Sequence, residues 1–274
     1  MSNLYVQALH VHPVKSLSGT APDEAAVEPW GLSGDRRWAL ADSGGTVITQ
    51  RQQPRLALAT ARPLSGGGIA VSAPGMAELV VEVPGPDPLE PVVLFGKKIE
   101  TVAAARAAAD WFSAYLGVPA RLVHLDDPAV RRPVDPDYAL PGETVSLADA
   151  YPLLITTLAS LDALNSLIAQ GDHPQEGPLP MNRFRPNVVV SGAEAWAEDG
   201  WRRIAIGDAV FRGVRECGRC IITTTDQRTA ERGKEPLLSL ARHRRIGKSL
   251  AFGRQLVPVR LGAVRVGDEV RVLE

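Results

Sequence analysis

The chain has 274 residues, 45 % hydrophobic and 22 % charged, with a formal net charge of −1. That is the balance of a globular protein able to bury a sizeable core, and so small a net charge gives no whole-molecule argument for a nucleic acid or an anionic membrane as partner. The opening residues hold no basic segment followed by a long apolar run, and no window approaches the roughly 18 consecutive apolar residues of a membrane span, so the expectation is a cytoplasmic chain.

In chain order the pattern is mostly β. Leu4 to His12 alternates as a strand, and Pro13-Val14-Lys15-Ser16 leaves it to turn at Ser18-Gly19. A Lys-Ser pair at a strand end can meet a phosphate through ammonium and hydroxyl, although the Gly-rich loop and helix of a P-loop are missing. Gly34-Asp35-Arg36-Arg37-Trp38 brings more cationic donors to the start of the next strand, Arg37 to Asp42. The turn Asp42-Ser43-Gly44-Gly45 and a strand from Gly45 to Thr49 follow. Ser65 to Gly68 reads as a loop. Thr101 to Leu116 spaces Val102, Ala105, Ala109, Phe112 and Leu116 as one face of a helix that Gly117 and Pro119 end.

Prolines and aspartates from Asp126 to Asp137 make poor helix or strand interiors and read as a loop. A second helix is expected from Leu158 to Ile168 with Thr157 as N-cap, and Gly171 to Pro180 is again loose. Arg183 and Arg185 stand two apart before the apolar strand Asn187 to Ser191. In an extended segment both would face one way and suit a phosphate, unless they are simply charge at a strand entrance. Gly207-Asp208 and Gly267-Asp268-Glu269 are turns between β-branched runs, and Pro236 to Arg244 is a third helix whose basic end, Arg242 to Arg245, reads as solvated. Strands outnumber helices without strict alternation, which favours an α+β fold.

Cys217 and Cys220 are the two cysteines of the chain, too few for a disulfide framework. A thioredoxin-like dithiol would need a helix after the pair, where Ile221-Ile222-Thr223-Thr224-Thr225 resists one. Zinc would need more ligands than this pair and a distant His243. Two readings stay open: small apolar cysteines in a core strand, or one thiolate on a soft metal already chelated by a cofactor, favoured by Arg215 and Arg219. The histidines show no metal-ligand spacing beyond His10 and His12 on one strand face, a pair that reads as structural.

Taken together, HPVKS, GLSGDRRW and TQRQQPRLA in the first half, and YPLLITTLASLDALN, RFRPNVVVSG, WRRIAIGDAVFRG, CGRCIITTTD, KEPLLSLAR and VRVGDEV in the second, resemble the MOSC superfamily. The resemblance is to the branch holding the mitochondrial amidoxime-reducing component and its bacterial relatives. It implies an α+β, β-barrel-rich MOSC fold with a few packing helices, divided into an N-terminal MOSC-associated β-barrel module (1–125) and a MOSC domain (126–274). It implies a molybdenum–molybdopterin cofactor with Cys220 as the catalytic metal ligand, and cofactor contacts from Lys15, Ser16, Arg36, Thr157, Arg185 and Arg219. It implies reduction of N-hydroxylated compounds, hydroxylamines and amidoximes, to amines; the alternative is a sulfur-carrying or cofactor-carrying MOSC protein without reductase activity. The family's Phe-Gly-x-Tyr region reads Phe252-Gly253-Arg254-Gln255 here, a departure at Gln255. No segment matches the iron–sulfur domain of some bacterial relatives, the membrane anchor of the mitochondrial ones or a pyridoxal-phosphate desulfurase domain. The expected partners are therefore a small-molecule substrate and a separate electron donor (ferredoxin, flavoprotein reductase or cytochrome), with no nucleic acid and no membrane.

Overall fold

A computed structural model describes residues 3–86, 88–134 and 139–274. The fold is α+β and rich in barrel-like sheet. Its largest sheet has eight strands. Seven run in the order Tyr5–Leu9, Val188–Ser191, Leu153–Thr157, Ser249–Arg260, Ala209–Gly218, Arg203–Ile206 and Val270–Val272, and Arg245–Ile246 pairs with Ser249–Arg260. Leu153–Thr157 and Val188–Ser191 pair in parallel, because a helical crossover separates them; the other pairings of this sheet are antiparallel.

A five-stranded sheet comes from the first half, in the order Val47–Ile48, Trp38–Ala41, Arg121–His124, Lys97–Ala103 and Leu89–Leu94. Its core holds Trp38, Leu40, Phe112, Tyr115 and Leu122. The two halves interlock at the chain start. Tyr5–Leu9 pairs with Val188–Ser191, and Glu24–Glu28 pairs with Gly262–Arg265. Val6, Leu9, Val27 and Leu32 therefore share one core with Ile155, Val188, Phe211 and Leu256.

The helices are α1 (Arg106–Leu116), α2 (Pro128–Arg131), α3 (Leu158–Ala169) and α4 (Leu237–His243). The first starts later than the apolar spacing predicts. Thr101 and Val102 belong to a strand, where a β-branched pair packs well and bonds to both neighbours. Gly117 ends α1 in the left-handed conformation, as expected. α2 was not expected inside the proline-rich stretch. It forms because the Asp127 side chain accepts from Ala129 N and Val130 N while Pro128 supplies a preset φ at the first position. Asp135, Pro136 and Asp137 of that stretch lie outside the described residues. No helix among the described residues is long and apolar enough to cross a membrane.

Candidate functional site

A cavity of about 340 Å³ opens where the exit of the first strand, the loop before Leu153–Thr157 and the end of strand Ala209–Gly218 meet. That is the size of a small-molecule site. It is lined by six cations (Lys15, Arg36, Arg51, Arg185, Arg215, Arg219), two acids (Asp149, Glu216) and both cysteines.

Backbone geometry aims these side chains. Ser16, Arg36 and Arg185 have φ of 70°, 49° and 52°, the left-handed region that residues with a Cβ seldom occupy. Such conformations persist where the surroundings over-determine them, and they cluster at functional sites. Lys15 is held by its own backbone N donating to Trp38 O at 2.8 Å, while its Nζ donates to Leu147 O at 2.8 Å and pairs with Asp149. Burial lowers the Lys15 pKa to about 8 despite that partner. Ser16 O accepts from Gln50 Nε2 at 2.7 Å. Arg36 donates to Asp35 Oδ2 at 2.5 Å, Asn187 Oδ1 at 3.1 Å and Arg185 O at 3.0 Å, so it ties the N-terminal half to the Arg185 turn. Arg37 points elsewhere and anchors the backbone at Leu125 and Asp126.

The cysteines differ. Cys217 is buried, and its Sγ accepts from Arg219 Nη1 at 2.9 Å and from Gln255 Nε2 at 3.0 Å. Cys220 is partly exposed, and Arg51 Nη2 lies 3.2 Å from its Sγ. Residues 221–225 do not continue as extended chain. Ile221–Thr224 closes one 3₁₀ turn, with Thr223 Oγ1 donating to Cys220 O and Thr224 Oγ1 to Ile221 O. The threonine hydroxyls provide local bonds that a β-propensity argument ignores.

Two further residues of the site escape sequence reasoning. Arg51 donates to Asp149 Oδ2 at 3.1 Å as well as to Cys220, and Asp149 joins Arg51 to Lys15. For Asp149 and Arg51, desolvation works against the charge but is outweighed. Lys15 and Arg51 hold the Asp149 carboxyl well below the usual carboxylate range, and Asp149 and Cys220 raise the Arg51 pKa. Arg51 lies inside TQRQQPRLA, but neither residue has a local pattern that marks it.

Of the residues assigned to the cofactor, Lys15, Ser16, Arg36, Arg185, Arg219 and Cys220 come together in the cavity, and Gln255 lines it too. Thr157 does not. It is fully buried at the start of α3, where its Oγ1 accepts from Ser160 N at 3.1 Å and donates to buried Glu198 at 3.2 Å, so it acts as the N-cap. Arg183 and Arg185 do not form a fork. Met181–Phe184 is a 3₁₀ turn, so Arg183 leaves toward Thr224 O and Asp226 at 3.0 and 2.8 Å. Asp226 is thereby committed to Arg183 and its own loop, whereas Glu216 lines the cavity.

The residues present fit an anionic cofactor that brings its own metal ligands. Burial lowers the Arg185 pKa to about 9, and neighbouring Arg36 adds to the effect. Burial, then Arg185 and Arg36, push His12 well below the ordinary imidazole value, so it does not add charge. Arg51 Nη1, Arg185 Nη2 and Arg219 Nε are buried with no hydrogen-bond partner among the described residues. Each such donor costs about 1–3 kcal/mol unless an acceptor meets it, and a phosphate supplies several acceptors at once. Among the described residues no three His, Cys, Asp or Glu side chains converge to hold a metal by themselves. A metal on the Cys220 thiolate would take its remaining ligands from the cofactor.

Two family models match the chain: the MOSC N-terminal beta barrel domain over residues 3–119 and the MOSC domain over residues 142–271. Mitochondrial amidoxime-reducing component 1 of Homo sapiens is 34 % identical over 286 residues, covering 98 % of this chain and 82 % of that protein. Mitochondrial amidoxime reducing component 2 of Rattus norvegicus is 33 % identical over 286 residues, covering 97 % and 82 %. A molybdenum cofactor sulfurase of Oryza sativa subsp. japonica is 29 % identical over 266 residues, covering 92 % of this chain and 32 % of that protein.

Proposed function

The chain belongs to the MOSC family, and from that membership and the cavity we propose that it is a molybdenum–molybdopterin-dependent reductase of N-hydroxylated compounds. The observation that carries the reading is the convergence of six cations, with unmet guanidinium donors among them, on a cavity that contains the Cys220 thiol. The overall reaction takes up two electrons and two protons, breaks the N–O bond of a hydroxylamine or amidoxime, and releases water and the reduced nitrogen product. When bound, the cofactor supplies the two-electron chemistry at molybdenum.

The chain's own residues bind, orient and tune. Cys220 offers its thiolate as the protein's ligand to the metal. Arg51 Nη2 lies 3.2 Å from Cys220 Sγ and is itself held by Asp149. Lys15, Ser16, Arg185 and Arg219 give the donors for phosphate and pterin edges. Arg36 adds charge and fixes the Arg185 turn through Arg185 O. Gln255 stands where other members of the family have tyrosine, and its Nε2 donates to Cys217 Sγ at 3.0 Å. Electrons come from a separate donor, a ferredoxin, a flavoprotein reductase or a cytochrome.

Metal analysis joined to a substrate panel tests this. The purified holoprotein should hold about one molybdenum per chain, in line with a single ligand thiolate per site. Reduced with dithionite, it should convert benzamidoxime and hydroxylaminopurine to their reduced products, and Cys220→Ser should abolish turnover. Bound molybdenum without turnover on any member of the panel would mark a cofactor carrier and overturn the reductase reading.

A further inference from the structure

Strands Leu89–Leu94 and Lys97–Ala103 pair with Lys97 opposite Leu94, which leaves Phe95-Gly96 as a two-residue hairpin loop. Both loop residues have positive φ, 52° and 77°. A loop of this kind selects Asn-Gly, Asp-Gly or Gly-Gly, because both positions need the left-handed region. Gly96 obeys that rule and Phe95 breaks it. The ring gains little from burial in return, since Phe95 is 56 % exposed. Neither backbone preference nor core packing accounts for a phenylalanine here.

What the ring touches does. Its centroid lies 5.1 Å from Arg51 Cζ and 5.6 Å from Lys15 Nζ, within the range of a cation–π contact. Both cations line the cavity, and Arg51 is the residue that reaches Cys220 Sγ. Phe95 is thus one side chain removed from the thiolate. Six non-glycine residues among those described have positive φ, and four of them, Ser16, Arg36, Arg185 and Phe95, line this cavity or lean on residues that do. Ile221, next in the chain to Cys220, adds further exposed apolar surface at 43 %.

We propose that Phe95 is a specificity-determining residue: its open ring surface, set beside the Cys220 cavity through its contacts with Arg51 and Lys15, stacks the flat aromatic part of the substrate. The favoured class is N-hydroxylated compounds bearing a planar aromatic group, which pair with a phenyl face by offset or edge contacts. This inference rests on the reductase reading for its substrate class.

The test uses oxidised holoprotein, which binds substrate without turning it over. Dissociation constants for benzamidoxime and acetamidoxime are measured by calorimetry for the wild type, Phe95→Asn and Phe95→Tyr, with molybdenum content as the loading control. The preference for the aromatic ligand should fall about tenfold in Phe95→Asn, the size of one aromatic contact, and be kept in Phe95→Tyr. An unchanged preference in Phe95→Asn, equal loss in Phe95→Tyr, or no benzamidoxime binding by the wild type overturns the proposal. Aromatic preference that follows Phe95 while reduced holoprotein turns over neither ligand would sink the reductase reading and leave the Phe95 assignment standing.

Discussion

Arg185 shows most plainly what the site lacks on its own. Its backbone is in the left-handed region, its pKa is lowered by burial beside Arg36, and Nη2 finds no acceptor among the described residues. In the apo-protein it is a cost; with an anion bound it becomes a contact. Arg185→Met should therefore raise apo-protein stability by about 1 kcal/mol, the order of one unmet buried donor, while lowering molybdenum per chain. Urea unfolding and metal analysis on the same preparations check both signs, and a variant less stable yet fully loaded would contradict the assignment. At this scale Lys15, Arg36 and Cys220 were legible because residue type and order in several motifs carried them. Arg51 and Asp149 were not. They approach Cys220 and Lys15 across 169 and 134 residues of sequence separation, and such convergence has no local signature.

At the scale of elements, local propensity succeeded where one force ruled and failed where two competed. α3 and its cap were readable because Thr157 precedes a clean apolar spacing. The start of α1 was misplaced because alanines and valine fit a helix face, whereas the Thr101–Val102 segment is claimed by strand pairing on both sides. The i, i+2 spacing of the paired arginines suits an extended segment, but a 3₁₀ turn at Met181–Phe184 sends Arg183 and Arg185 apart. Thr157 gives a direct check on its N-cap role. Thr157→Ala should cost about 1–2 kcal/mol of unfolding free energy, as a lost N-cap does, and should leave molybdenum content at the wild-type level. A depleted metal content with unchanged stability would return Thr157 to the cofactor.

The whole molecule couples its halves through shared sheet and core, and its stability should depend on acid in a defined window. His124 closes the strand Arg121–His124 opposite Trp38, with ring centroids 4.4 Å apart. Burial, reinforced by Arg37, lowers its pKa from 6.5 to about 4. The folded-state value lies below the unfolded one, so between pH 6.5 and 4 the unfolded chain binds a proton that the folded one refuses. Stability from this group is complete above pH 6.5 and is lost as pH falls toward 4, to a limit of about 3 kcal/mol. His12, lowered for related reasons, acts with the same sign. His124→Asn should flatten the decline in unfolding free energy between pH 7 and 4.5; an unaltered slope would show that His124 is not the group responsible.

The barrel-rich α+β architecture was readable from the motif order, but the contribution of Tyr5–Leu9 and Glu24–Glu28 to the second half's core was not, because strand partners lie far away in sequence. That interlock brings Lys15 and Arg36 to the cavity that Cys220 lines, where we propose that this thiolate holds the metal of a molybdenum–pterin cofactor. X-ray absorption at the molybdenum edge on wild-type and Cys220→Ser holoprotein tests it most directly. The variant should lose one sulfur neighbour of the metal; an identical sulfur shell in both proteins would rule Cys220 out as the ligand.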